Sequence, residues 1–359
     1  MREIGIRELR DLARGAAVLG TGGGGDPYVG RLLAEQAIAQ HGPVQLVDVA
    51  EVPDDALVLP SAMMVAPTVM VEKIPRGGEA ASALRALETR LGRRATHTVS
   101  IEAGGLNSTV PFAVGAELGL PVVDADAMGR AFPELQMVLP TLLGIAATPL
   151  ALADEKGNRV VLDTIDNRWA ERLARSATVD MGCTAMLSLY ALAGVDLEEA
   201  LVPGTLSLCE EIGRLISDER AAHGDPVGAV TERLRGRILL KGKVVDVARR
   251  TVDGFARGEA TIEGAGGSTL GLSFQNEHLL ARVDGEVAAC TPDLIIVLDA
   301  ETGEPVTTEG LRYGQRVASL AAPCDARWRT PEGLALVGPE VFGYDCAYVP
   351  VEEAAACAS

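Results

Sequence analysis

The chain has 359 residues, about twice the length of a usual single domain, so we expect two domains and a sizeable core. A hydrophobic fraction of 48% and a charged fraction of 23% exclude a disordered, collagen-like or coiled-coil chain. The 32 basic and 50 acidic residues give a formal net charge of −18, which argues against nucleic acid and anionic membranes as partners.

The cellular compartment is predicted from three features. Segment 1–14 is rich in charge, which is typical of a helix docked on a domain and not of a signal peptide. The longest apolar stretch, 181–193, is too short and too interrupted to span a bilayer. The six cysteines are scattered without a CxxC pair, as in reduced proteins, and Cys183 is expected to be buried and dispensable. We therefore predict a cytoplasmic protein.

The first part of the chain alternates strand-like and helix-like segments. In chain order we predict a strand over 16–20, a helix over 28–40, strands over 44–49 and 56–65, a helix over 79–91, a strand over 96–101, a helix over 110–118 and a strand over 121–124. This alternation predicts an α/β domain over 1–166 with a largely parallel sheet. Ligands usually bind at the carboxyl ends of the strands in such a sheet.

The second part, 167–359, is predicted to be a separate, mostly β domain with connecting helices. The helical connection covers 167–235, and Asp225-Pro226 is a typical helix start within it. Short β-like runs separated by glycine turns follow over 236–351. Among them, Val283-Asp284-Gly285-Glu286 predicts a tight hairpin.

The glycine cluster Gly22, Gly23, Gly24 and Gly25 is the first candidate site. Consecutive glycines before a helix allow backbone amides to approach a ligand, so we expect them to bind substrate. A tight turn with close packing is the structural alternative. Asp26 is a candidate cap of the following helix.

The segment 101–108 places a carboxylate and an amide at the end of a predicted strand. Glu102 is a candidate catalytic residue, and Asn107 is a candidate substrate ligand. Asn107 or Ser108 could equally cap the next helix.

The segment 122–135 contains a cluster of charged residues. Asp124 and Asp126 are candidates for a general base or for ligands of a divalent metal, and Arg130 for binding a substrate carboxylate. Alternatively, Asp126 is a cap and Arg130 forms a surface pair with Glu134. We predict that replacing either aspartate by asparagine lowers activity by at least about a hundredfold and leaves folding nearly unchanged.

The β domain offers a second group of polar residues. Glu277 and Asp293 are candidate catalytic acids that could close the site, and Asn276 is a candidate substrate ligand. His278 could be a base, although a lone histidine on a strand is more often structural. The four histidines lack the spacing of a zinc site, so a divalent metal would be held by carboxylates.

Several strings together resemble one known family. They are the residues at 20–27, 102–108, 124–135, 276–279, 291–295, 311–314 and 338–345. In this order they resemble the DUF917 family of S-methyl thiohydantoin desulfurase-like proteins over nearly the whole chain. The acidic string at 124–135 is the most specific of them.

The resemblance implies an N-terminal α/β domain, a β-rich C-terminal domain and a role in hydantoin metabolism. It implies a cyclic thiourea-like or imide-like substrate and a hydrolytic replacement of sulfur at C2 by oxygen. Relatives occur beside hydantoinase or oxoprolinase proteins, so a hydantoinase is a candidate partner, and we expect a homo-oligomer. The alternatives are an oxoprolinase-like subunit that uses ATP and a non-catalytic partner of a hydantoinase.

Overall fold

A computed structural model describes residues 1–65, 75–252 and 254–354. The helices of these residues are α1 (Ile6–Leu19), α2 (Pro27–His41), α3 (Glu79–Leu91), α4 (Val110–Leu118), α5 (Leu139–Leu142), α6 (Asn167–Asp180), α7 (Leu197–Ala200), α8 (Thr205–Ala221), α9 (Pro226–Arg233) and α10 (Pro331–Val337). Within the described ranges, no helix combines the length and the apolar character needed to cross a bilayer.

The strands fall into two large sheets and one short pair. Their bounds are β1 (Arg2–Ile4), β2 (Val44–Val47), β3 (Leu57–Val65), β4 (His97–Ser100), β5 (Val122–Val123), β6 (Ala125–Asp126), β7 (Leu150–Ala153), β8 (Arg159–Leu162), β9 (Thr184–Ser188), β10 (Leu192–Ala193), β11 (Val202–Pro203), β12 (Arg237–Val252), β13 (Phe255–Gly264), β14 (Thr269–Gln275), β15 (Glu277–Val283), β16 (Glu286–Cys290), β17 (Leu294–Asp299) and β18 (Arg316–Ala322).

The first sheet is mixed, in the order β1-β2-β5-β4-β3-β9-β7-β8, with β10 also paired to β3. Only β2, β5, β4 and β3 are parallel neighbours, and the remaining pairs are antiparallel. The prediction of a largely parallel sheet is therefore right only for its central part.

The second sheet is antiparallel, in the order β16-β15-β14-β13-β12-β18-β17. It curls until β15 and β16 contact β17. The predicted hairpin is present: Val283 pairs with Glu286, and Asp284 and Gly285 both have positive φ. The short pair joins β6 to β11.

Two segments differ from their predicted structure. Residues 16–19 are the last turn of α1 and not a strand, because the buried residues Leu9, Leu12, Ala13 and Ala16 continue one helical face. The segment 167–235 is not wholly helical, since β9 lies inside the first sheet, antiparallel to β3. All five residues of β9 are buried, so the strand shows no polar alternation by which to recognise it. The domain boundary near residue 166 stays a prediction.

A shared core joins the two parts of the chain. Helices α1 and α8 pack closely at two glycines: a Cβ on Gly15 would lie 1.8 Å from the carbonyl oxygen of Cys209, and one on Gly213 equally close to that of Asp11. Apolar residues of these helices pack in one cluster with residues of β17 and β18. This contact holds the end of α1 against the second sheet.

The cysteines of the described residues are free thiols, and Cys357 lies outside those residues. Cys183 is only partly buried, contrary to expectation. It follows the end of α6 with φ +66°, and its amide donates to the carbonyl of Thr178.

Candidate functional site

A cavity between the two large sheets lies where the carboxyl ends of β3 and β4 face the start of β15. Its volume is about 90 Å³. The candidate residues that line it are Gly23, Gly24, Gly25, Glu102, Asn107, Asn276 and Glu277. Gly23–Gly25, the segment after β4 and the start of β15 therefore lie around one cavity.

Residues 20–25, here called the glycine turn, join the two sides of the cavity. The turn follows α1, a helix and not the predicted strand. The carbonyl of Gly24, at φ +74°, accepts the amide of Leu106 at 2.9 Å, and a Cβ on Gly24 would lie 2.3 Å from the Cα of Gly104. A Cβ on Gly23 would lie 1.9 Å from Oε1 of Glu277. Glycine is required here because both walls approach the turn at van der Waals distance.

Gly22 and the neighbouring Asp26 lie outside the cavity lining and have separate contacts. A Cβ on Gly22 would lie 2.7 Å from the ring of His278, and the residue is not part of the cavity lining. Asp26 caps α2, since its carboxylate accepts the amides of Tyr28 at 2.7 Å and Val29 at 3.3 Å. This confirms the cap and places a negative charge at the start of α2.

Glu102 is a buried carboxyl on the cavity wall, and Asn107 orients it. The Asn107 Nδ2 donates to Glu102 Oε1 at 2.5 Å, while the Asn107 Oδ1 accepts the amide of Met63 at 2.8 Å. Burial raises the pKa of Glu102 to about 7; the hydrogen bond from Asn107 opposes this shift, and the neighbouring Asp126 carboxylate adds to it. Glu102 is therefore poised to exchange a proton near neutral pH.

Glu277 provides the second carboxyl, from the start of β15. It is buried, and its Oε2 has no hydrogen-bond partner among the described residues. Burial and then the charge of Glu102 raise the pKa of Glu277 well above its ordinary value, while Arg130 lowers it. Next to it, Asn276 has φ +59° and uses its Oδ1 to accept the amide of Ala256 at 2.8 Å.

Arg130 does not face the cavity. It is fully buried, and all five of its N–H groups are used on the protein itself. The acceptors are the carbonyl oxygens of Ala131, Pro292, Asp293 and His278 and the hydroxyl of Thr21. The expected role in binding a substrate carboxylate is corrected to a structural one, since no donor remains for a ligand.

The three predicted aspartates also lie outside the cavity lining. Asp124 accepts the amide of Ser207 at 2.9 Å and its hydroxyl, at the first turn of α8. Asp126 is buried and accepts the amides of Ala103, Met128 and Gly129. Burial raises the pKa of Asp126 to about 6 against these hydrogen bonds. The two carboxylates thus serve different parts of the backbone and do not form a joint site.

Asp293 is likewise occupied by the protein. Its Oδ1 pairs with Arg329 at 2.7 Å and accepts the amide of Cys324, while its Oδ2 accepts the hydroxyl of Tyr348 and the amide of Val351. The side chain fixes the C-terminal segment on the second sheet. The expectation that Asp293 closes the site is therefore not met.

Two cavity residues were missed by sequence reasoning. Glu309 lies in a polar turn, and nothing local separates it from the other acidic residues. Arg175 is the only basic residue among the described residues that line the cavity. It pairs with Glu171 one helical turn earlier and lies over the ring of Phe255 at 4.2 Å, so in sequence it resembles a surface pair.

The two remaining candidates are His278 as a base and a divalent metal held by carboxylates. Neither ring nitrogen of the buried His278 has a well-formed hydrogen bond among the described residues, and burial lowers its pKa to about 4. The described residues bring no three His, Cys, Asp or Glu side chains together as metal ligands.

The fold and the site define a class: an α/β protein whose mixed sheet and curled antiparallel sheet enclose a small cavity with buried carboxyls. Residues 7–164 match the S-Me-THD-like N-terminal domain, and residues 165–351 match the S-Me-THD-like C-terminal domain. The chain belongs to this S-methyl thiohydantoin desulfurase-like family, as the sequence motifs predict.

One solved structure is similar over the whole length. It is a crystal structure of a protein from Chromobacterium violaceum, 27% identical, with a TM-score of 0.83. The match covers 98% of this chain and 100% of that chain. A comparison with curated proteins finds no match.

Proposed function

We propose that the cavity hydrolyses an S-methyl 2-thiohydantoin-type ring, replacing sulfur at C2 by oxygen. The observation that carries the proposal is the pair of buried carboxyls, Glu102 and Glu277, which line one cavity and titrate above their ordinary range. Glu102 is partly ionised near neutral pH, whereas Glu277 retains its proton. One cavity therefore offers both a base and an acid. Membership of the S-Me-THD-like family supports this type of substrate.

The first step is addition of water to C2. The Glu102 carboxylate takes a proton from the water, and Glu277 donates its proton to the ring nitrogen as the C2–N double bond becomes single. The product is a tetrahedral carbon that bears a hydroxyl and a methylthio group.

The second step expels the sulfur. The hydroxyl proton returns to Glu277 as the C2–O double bond forms, and the C2–S bond breaks with its electron pair on sulfur. Glu102 then protonates the methanethiolate. Substrate and water thus give a hydantoin and methanethiol, and both glutamates regain their initial states.

Other cavity groups suit the binding of such a ring. The amides of Gly24 and Gly25 make no hydrogen bond with any described residue, so they could donate to a ring carbonyl or to the developing hydroxyl. Met63, Met128 and Phe132 line the apolar side and could hold the methylthio group and the ring substituent.

The decisive experiment is turnover of a panel of 2-thiohydantoins and their S-methyl forms, with release of thiol or sulfide as the readout. Turnover in ¹⁸O-labelled water should place the label at C2. An arm with EDTA tests for a divalent metal, which the sequence leaves open. Absence of turnover across the panel would reject the proposal.

Matched variants test the roles of the two glutamates. We expect Glu102→Gln and Glu277→Gln each to lower turnover by about a hundredfold or more, the scale of losing one acid–base group. Glu286→Gln, at an exposed position on the β15–β16 hairpin, is the control and should retain normal turnover. Normal turnover in both cavity variants would contradict the mechanism.

Two competing functions have separate signatures. An oxoprolinase-like subunit would require ATP and release phosphate; the capping carboxylate of Asp26 at the start of α2 disfavours a phosphate there. A non-catalytic partner would bind hydantoins without turnover and support activity only when mixed with a hydantoinase. The same mixing experiment tests the proposed hydantoinase partner. The mass of the isolated protein in solution tests the proposed homo-oligomer.

A further inference from the structure

We propose that Glu309 is a positioning residue whose charge, held beside the cavity by an anchored turn, adds to burial and to Glu102 in favouring the protonated form of Glu277. The role in catalysis rests on the proposed function, whereas the electrostatic effect on Glu277 does not. Glu309 and Glu277 line the same cavity: Glu277 begins β15, and Glu309 lies in the turn between β17 and β18.

The turn that carries Glu309 is fixed to the glycine turn and to β15. The Thr308 amide donates to the carbonyl of Gly22 at 2.9 Å. The Thr308 hydroxyl contacts the same carbonyl at 3.1 Å and that of Asn276 at 2.6 Å. Asn276 directly precedes Glu277, so one threonine links the backbone beside Glu277 to the backbone beside Glu309.

Arg249 holds the other side of this turn. Its Nη1 donates to the carbonyl of Thr308 at 2.8 Å, and its Nη2 to that of Leu311 at 3.0 Å. These two bonds span Glu309 and restrict the backbone on both sides of it. Burial raises the pKa of Glu309, and the hydrogen bond from Thr308 and the positive charge of Arg249 oppose this shift.

Three charged groups act on Glu277 from the surrounding elements. Glu102, after β4, and Glu309 disfavour its ionisation, and the buried Arg130 favours it. The adjacent His278 is neutral near pH 7, because burial lowers its pKa to about 4. Glu309 thus acts with burial and Glu102 against Arg130 and favours the protonated acid that the reaction needs.

The test is a direct titration of Glu277. The protein is labelled with ¹³C at glutamate side-chain carboxyls, and the Glu277 signal is followed with pH by NMR in the wild type and in Glu309→Gln. We expect the Glu277 midpoint to fall by about 0.5–1 pH unit in Glu309→Gln, the scale of removing one nearby like charge. Glu309→Asp keeps the charge and should retain most of the wild-type midpoint.

Glu134→Gln is the matched control within the cavity. Glu134 also lines the cavity, but its carboxylate contacts Gln136, and Glu134 is not among the main causes of the raised pKa of Glu277. It should leave the Glu277 midpoint unchanged. An unchanged midpoint in Glu309→Gln, or an equal fall in Glu134→Gln, would overturn the proposal.

A kinetic measurement adds the link to catalysis. The limb on which turnover falls with rising pH should move to lower pH in Glu309→Gln, with nearly normal turnover on its acidic side. Loss of turnover at every pH with an unshifted limb would overturn the positioning role and make Glu309 a catalytic residue. If the wild type turns over no thiohydantoin, the proposed function fails, while the titration still decides the electrostatic effect.

Discussion

At the scale of single residues, Arg130 belongs to a motif that identifies the family, yet its expected role in binding substrate is not the role that the structure shows. The guanidinium binds the carbonyls of Pro292, Asp293 and His278, and residue 130 is more than a hundred positions from each of them. Sequence spacing identifies a charged residue at a strand end. It cannot identify acceptors that the fold supplies from another sheet.

The structural role of Arg130 predicts a large loss of stability on substitution. Arg130→Met leaves the buried carbonyls and the Thr21 hydroxyl without donors, so the free energy of unfolding should fall by about 3–5 kcal/mol. Arg130→Lys keeps three donors, so its free energy of unfolding should lie between those of the wild type and Arg130→Met. Urea unfolding measures both. A variant as stable as wild type that had lost only substrate binding would restore the original interpretation.

Asp124 allows the opposite prediction, because its carboxylate contacts the first turn of α8 and not the cavity. Asp124→Asn retains one acceptor oxygen for the Ser207 amide, so the start of α8 should keep its position. Turnover should therefore stay within about twofold of wild type. The free energy of unfolding should fall by about 1 kcal/mol, as for a weakened helix cap. A hundredfold loss of turnover, as the charge cluster predicts, would place Asp124 back in the reaction.

At the scale of elements, the glycine turn is where backbone geometry controls chemistry. Gly23→Ala should push Glu277 out of place, because the added Cβ would lie 1.9 Å from its carboxylate. We expect turnover to fall by at least about tenfold with the fold retained. Gly42→Ala is the control: Gly42, unlike Gly23, has positive φ, and no atom lies within 4 Å of an added Cβ. It should lose stability and not turnover, as equilibrium unfolding and kinetics on both variants would show.

The elements themselves were predictable where the hydrophobic period was unambiguous. Helices α3 and α4 have the predicted bounds, and the successive β-runs from β12 to β17 appear in order. The errors lie at short apolar runs, where a buried strand and a helix end have the same local composition. The positions of Glu102 and Glu277 in the cavity lining were predictable because both stand at strand ends, and their catalytic roles stay predictions. Glu309 was not, because contacts distant in sequence bring its turn to the cavity.

At the scale of the whole molecule, the buried carboxyls set how stability depends on pH. Glu102 titrates near 4.5 when unfolded and near 7 when folded, so between these values the native state binds more protons than the unfolded state. Stability contributed by such a group is present at low pH and is lost as pH rises through the folded pKa. Glu277 and Glu309, whose pKa values are also raised, act in the same direction.

We therefore expect the free energy of unfolding to fall between about pH 6 and about pH 8, with Glu102 alone contributing about 1.4 kcal/mol to the decrease. His278 acts in the opposite direction. At pH 6 its unfolded imidazole, with an ordinary pKa of 6.5, is mostly protonated, whereas burial keeps the folded imidazole, with a pKa of about 4, neutral. This adds about 0.8 kcal/mol of stability between the two pH values and offsets part of the decrease. Urea unfolding of the wild type and of Glu102→Gln at both pH values isolates this contribution, because glutamine cannot ionise. A slope in Glu102→Gln equal to that of the wild type would show that Glu102 is already ionised in the folded protein and cannot exchange a proton near neutral pH.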